Sequence, residues 1–202
     1  MKIGEIKKQS LLLIFPEIEA YFDSESDESV NEGISALKCD PSLRAYLEAS
    51  VPAINRALCE IENAGATNVK KAVVTLSRTD EVLDLKKELP DLLKLIAICQ
   101  NGRVLRFSER DVGVVISGAD KGKIEVSYRA LAQRVRYSSE DASELELDYG
   151  VCSIIPYFVA SELCAQESIE KSRDLREKFF HGLSAYAAGA VVQTEVKTVY
   201  SW

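Results

Sequence analysis

Apolar residues in the first third of the chain recur at helical spacing in two stretches. Ile3, Ile6 and the run Leu11 to Phe15 predict a short N-terminal helix that stops at Pro16. From Asp40-Pro41 onward, Leu43, Leu47, Val51, Ile54, Leu58 and Ile61 follow at three- and four-residue steps. This leaves one apolar face for about six turns. Asp40 is suited to accept from the free amides of the first turn, and Pro41 suits the first helical position. Pro52 predicts a kink without a break, and Ala64-Gly65 a stop. Between Pro16 and Asp40, Asp23, Glu25, Asp27 and Glu28 interleave with Ser24, Ser26 and Ser29. So little apolar surface among so many charges predicts an exposed acidic loop.

From Val69 to about Tyr137 the period changes to two. Val73 to Leu76, Leu92 to Cys99, Val104 to Phe107, Val112 to Ile116 and Ile124 to Tyr128 are short runs rich in β-branched residues. Two of them flank Asn101-Gly102, a strong signal for a tight hairpin. Ile124, Val126 and Tyr128 alternate with Glu125, Ser127 and Arg129, which gives that strand one wet face. The block reads as an antiparallel sheet or small barrel.

Helical character returns after an acidic turn, Ser138 to Asp148. Tyr149 to Gln166 is apolar nearly all round and predicts a buried helix that tolerates Pro156. Ser168 is placed to cap a further helix with a stripe of Leu175, Phe179, Leu183 and Tyr186, closed by Gly189. Beyond it, Val192, Thr194, Val196, Thr198, Tyr200 and Trp202 alternate as in an extended strand. The expected fold is therefore α+β: a bundle of about four helices (1–66 and 139–189), an inserted antiparallel β module (67–138) and an extended C-terminal arm (190–202).

Charge and composition narrow the function classes. With 202 residues, 47% hydrophobic and 28% charged, the chain has room for a main domain and an insertion. The N-terminus lacks the apolar run of a secretory signal, and no stretch is apolar over a membrane's thickness, so neither export nor membrane insertion is expected. A net charge of −7 argues against a protein that grips nucleic acid by neutralising phosphates, though an acidic wall lets DNA slide past. Five cysteines form no C-x-x-C pair, and His181 is the only histidine. Zinc and a disulfide framework both recede, and the cysteines read as reduced and structural, with Cys59, Cys152 and Cys164 inside apolar helical patterns.

Candidate chemistry is sparse. Gly118 to Lys123 (GADKGK) is similar to a phosphate-binding loop, but it is one residue short and Ile124 stands where Ser or Thr should be, so a β-turn fits better. His181 has no serine or cysteine motif that names a partner and reads as an ordinary helix-surface or interface residue. Glu140, Asp141, Glu144, Glu146 and Asp148 lack the order of a calcium loop and read as a solvated linker. Arg129, Arg134 and Arg136 form a basic patch suited to pairing with the acidic segments, across a subunit boundary if the chain assembles. Catalytic, cofactor and metal sites are expected to be absent. The arm, with Tyr200 and the only tryptophan, Trp202, has to dock on something: its own bundle, or a neighbour by strand addition.

The order of elements, together with Glu144 to Tyr186, resembles the head-to-tail connector proteins of tailed bacteriophages, including the tail tubular protein A group. The resemblance rests on Ile155-Pro156-Tyr157-Phe158-Val159-Ala160 through Leu163, the break at Glu167-Ser168, and Phe179-Phe180. Val126-Ser127-Tyr128 and Glu88-Leu89-Pro90 add to it, whereas the segment from Pro16 to Asp40 departs from that pattern. The resemblance implies a non-enzymatic virion protein of the neck, present in the host cytoplasm during assembly. It implies a dodecameric ring between the portal protein and the tail tube or nozzle, with double-stranded DNA passing through the centre. The aromatic end of the arm and the basic patch make Val192, Val196, Tyr200, Trp202, Arg129, Arg134 and Arg136 the candidate partner-interface residues. The rival readings are a monomeric binding module that uses the β insertion as a ligand platform, and a small hydrolase.

Overall fold

The computed structural model describes residues 1–22, 27–77, 82–110, 113–139 and 141–199, without the side chains of 27–29 and 189–199. The chain divides into two compact units, Met1–Ala66 with Gln133–Trp202, and Thr67–Ala132. The described residues are α+β, with seven helices and a curled six-stranded antiparallel sheet.

In the first unit, α1 (Ile3–Ile14) ends before Pro16, and a 3-10 helix (Pro16–Tyr21) and α2 (Asp27–Leu37) follow. The exposed loop expected from Pro16 to Asp40 is thus corrected. Ile18, Phe22, Val30, Ile34 and Leu37 are buried against Leu11 and Leu47, so most of the large apolar residues of this acidic segment share one buried face, with Tyr21 left exposed. Gly33 makes that packing possible, because a Cβ there would lie 2.4 Å from Phe22 Cδ1. Residues 23–26 lie outside the described ones.

Helix α3 (Pro41–Asn63) begins as its sequence predicts. Asp40 Oδ1 accepts from the Ser42 amide at 2.9 Å, and Pro52 sits within the helix. Leu47, Val51, Ile54, Leu58 and Ile61 are buried along one face. Cys59, expected inside the apolar pattern, is exposed, because it lies one position past Leu58 and so turns about 100° away from that face. Instead of the single helix expected from Tyr149 to Gln166, two form: α5 (Tyr149–Cys152) and α6 (Ile155–Leu163). The break falls where Pro156 removes a backbone donor. Helix α6 touches α1, α3 and α7, and its Ile155, Phe158, Val159 and Ala160 are buried.

Helix α7 (Ile169–Val199) starts after Ser168, whose Oγ accepts from the Lys171 amide at 3.4 Å. It runs through Gly189, so the expected arm is helical as far as Val199, and residues 200–202 lie outside the described ones. The alternation from Val192 to Thr198 favours a strand only where a partner strand pairs with it. None of the six strands does, and continuing a formed helix satisfies the backbone internally. One mid-helix glycine costs only about 1 kcal/mol.

The second unit contains β1 (Val69–Leu76), β2 (Val82–Leu83), α4 (Leu85–Glu88), β3 (Leu92–Gln100), β4 (Arg103–Arg110), β5 (Gly113–Ser117) and β6 (Gly122–Ala130). The strand order is β1-β6-β3-β4-β5-β2, all antiparallel. The β3–β4 turn is the predicted one: Asn101 and Gly102 take φ of 51° and 78°, the paired left-handed conformations of a type I′ turn. One face of the sheet forms a separate core of Val74, Leu76, Leu95, Ile98, Leu105 and Val126 with their neighbours.

Candidate interaction surfaces

The alternation that builds this core decides what its other face carries. Register runs in one line across four strands from Val73 to Glu125, then Cys99, then Val104. Val73 is 64% and Val104 68% exposed, and Lys71 Nζ holds Glu125 Oε1 at 3.0 Å. This outer face is a mixed surface of aliphatic and charged side chains. The sequence signals only part of it, as the single wet face of β6.

The core side of the second unit opens into a cavity of about 410 Å³, lined by Leu85, Leu92, Leu95 and Val114 and equally by the charged Asp84, Lys86, Glu109 and Arg110. Its volume lies within the range of small-molecule pockets. At its Leu92 end, Asp91 joins two side chains: Tyr128 Oη donates to Oδ1 at 3.0 Å, and Lys70 Nζ lies 3.0 Å from Oδ2. Burial raises the Asp91 pKa, but the Lys70 and Tyr128 hydrogen bonds prevail and hold it below its usual value. Burial and the Asp91 hydrogen bond push the Tyr128 phenol up.

The predicted basic patch divides between the two units. Arg129 lies on β6, where its Nη1 donates to the Thr67 carbonyl at 2.8 Å. Arg134 pairs with Glu62 at 2.6 Å, so its carboxylate partner comes from α3. Arg136 is exposed, and its backbone amide donates to Ser139 Oγ at 3.0 Å. Val192 and Val196 stand one turn apart on α7, with side chains outside the described ones, as are Tyr200 and Trp202.

The other candidates resolve into structural roles. Gly118 to Lys123 spans the β5–β6 connection, and its backbone is clamped by Gln100: Nε2 donates to the Asp120 carbonyl and Oε1 accepts from the Asp120 amide, both at 2.8 Å. That amide is thereby spent within the protein. His181 is exposed on α7 beside Asp174, Glu177 and Lys178. In the acidic turn, Asp141 is no solvated linker residue, because Lys7 lies 2.6 Å and Lys38 3.2 Å from its carboxylate. Asp148 caps α5, and Glu140 lies outside the described residues. No group of three or more His, Cys, Asp or Glu is placed to hold a metal ion among the described residues.

No protein-family model matches the chain, and no curated protein matches its sequence.

Proposed function

We propose that this chain is a head-to-tail connector subunit of a tailed bacteriophage, forming a ring that joins the portal to the tail tube or nozzle while double-stranded DNA passes through its centre. The observation that carries this reading is the use made of the residues that resemble connectors. Ile155, Phe158, Val159 and Ala160 are buried in the hub helix α6, and Phe179 of α7 packs edge-on to Phe158 at 4.9 Å. A pattern used this way organises a scaffold. A sheet with its own core, inserted between the two halves of a helical unit, gives each subunit two bodies with which to meet neighbours. The role is structural, and no reaction is assigned to it.

The end of α7, with Val192 and Val196, and the residues Tyr200 and Trp202 are the part proposed to meet the portal or the adjacent subunit, with Arg136 as a further contact. Light scattering on the chain co-expressed with the portal protein of the same genome tests this. Co-elution at the mass of a ring on a portal is expected, and separate elution of a monomer contradicts it. Deleting Val191 onward is expected to abolish co-elution, and unchanged assembly rules out that interface.

One observation favours a second reading. The cavity of about 410 Å³ lined by Leu85 and Leu95 together with Asp84, Lys86, Glu109 and Arg110 suits a monomeric module that binds a small ligand with both apolar and charged groups. Thermal shifts with a library of such ligands, alongside a persistent monomer, would select it over the ring.

A further inference from the structure

The two units carry opposite charge. Thr67–Ala132 holds 12 Lys and Arg against 9 Asp and Glu, a net of +3, which leaves 13 against 23, a net of −10, on the helical unit. The register concentrates the positive charge. Lys71, Lys94, Arg106, Lys123 and Arg129 occupy the outer face of the sheet, opposite the core positions, with Glu125 as the only carboxylate among the described strand residues of that face. Lys71 is paired with Glu125 and Arg129 with a backbone carbonyl. Lys94, Arg106 and Lys123 make no ion pair among the described residues. Between these cations stand Val69, Val73 and Val104, 55%, 64% and 68% exposed.

We infer that this face docks on the acidic helical unit of a neighbouring copy. The inference rests on the ring reading and names the surfaces that make the ring. The choice of occupant follows from the mixture of side chains. A phosphate backbone would engage the cations and gain nothing from the valines, whereas a protein surface with carboxylates and apolar side chains engages both. The helical unit offers such a surface where Glu144 and Asp148 are exposed near Tyr149, itself 74% exposed. A basic sheet that meets an acidic helical body joins two different surfaces. Such a heterologous contact leaves one of each surface free on every pair, and it closes only as a ring.

The test mixes equal amounts of ¹⁵N-labelled and unlabelled chain, concentrates them to assembly, and couples lysines to carboxylates with a zero-length carbodiimide. Mass spectrometry should find amide links between copies, from Lys71, Lys94 or Lys123 to carboxylates of 1–66 or 133–202. The variant Lys94→Glu/Arg106→Glu/Lys123→Glu should keep its circular dichroism and thermal midpoint and weaken assembly by at least about tenfold. The neutral version, Lys94→Gln/Arg106→Gln/Lys123→Gln, should fall between, which keeps the test decisive if the reversed variant folds poorly. Raising salt from about 0.1 M to about 1 M should weaken the wild-type assembly as well. Rings that persist in both variants, or links confined to one copy, overturn this docking and leave the ring standing. Retention of duplex DNA that depends on these cations, without links between copies, assigns the face to phosphate and overturns it too. A wild-type chain that never assembles removes both readings.

Discussion

Lys7 Nζ lies 2.6 Å from Asp141 Oδ1, a contact between residues 134 positions apart in sequence. Lys38 of the segment after α2 shares the same carboxylate at 3.2 Å, and the Gly4 amide donates to the Asp141 carbonyl at 2.7 Å. The turn after the sheet unit is thus fastened to α1 and to the end of α2 through Asp141, and backbone hydrogen bonds from Ile3 to Ser143 and from Leu145 to Met1 hold it to the N-terminal segment as well.

That fastening makes stability depend on acid. Burial raises the Asp141 pKa, but the hydrogen bonds and charges of Lys7 and Lys38 outweigh it and hold the carboxyl below its ordinary 3.8. A depressed pKa contributes stability that is complete above the unfolded value and is lost as pH falls through the folded one. Asp141→Asn should therefore cost about 1–3 kcal/mol near neutrality. The gap to wild type should close as the pH drops below the ordinary carboxylate range. Urea midpoints measured across pH check this, and a gap independent of pH contradicts it.

Asn55 acts on α3 as a surrogate strand edge. Its Nδ2 donates to the Val135 carbonyl at 2.8 Å, and its Oδ1 accepts from the Val135 amide at 2.9 Å. Val135 is buried, so Asn55→Leu leaves a backbone donor and acceptor without partners. Urea unfolding should show a loss of about 1–3 kcal/mol, whereas exposed Arg136→Ala should stay within about 0.5 kcal/mol.

Gly33→Ala tests the corrected reading of the acidic segment. The new methyl would meet Phe22 Cδ1 at 2.4 Å and the Tyr21 carbonyl oxygen at 2.7 Å. Overpacking of this kind costs about 1–3 kcal/mol, against a helix-propensity gain of about 1 kcal/mol for alanine over glycine. A net loss in thermal midpoint is expected. A rise would mean that α2 does not pack on Phe22.

The thiols should separate by burial. Cys39 and Cys59 are exposed, whereas Cys152 and Cys164 are buried and burial pushes both of their pKa values up. A disulfide reagent such as Ellman's should modify Cys39 and Cys59 in the folded chain and reach Cys152 and Cys164 only after denaturation. Peptide mapping of the fast phase reads this directly.

The parts that were legible share one property: their signal is local. Asp40-Pro41 with its apolar stripe marks α3, and Asn101-Gly102 marks the β3–β4 turn, because capping and turn geometry are decided within a few residues. Helix α2 was obscured because Val30, Ile34 and Leu37 are few among acids, and only their long-range contact with Leu11 reveals a buried face. The end of α7 misled for the opposite reason. Its β-branched alternation is a true local preference that has no partner strand to realise it. The Lys7–Asp141 pair and the basic outer face of the sheet depend on register and on distant contacts, which spacing along one chain does not display.

The central claim is that this chain closes into a ring with its own copies. Negative-stain electron microscopy of the concentrated wild-type protein, alone and with the portal protein, measures that most directly. Class averages should show closed rings of one rotational order around an open centre. A field of single subunits under both conditions, at concentrations where the protein stays folded, contradicts the claim.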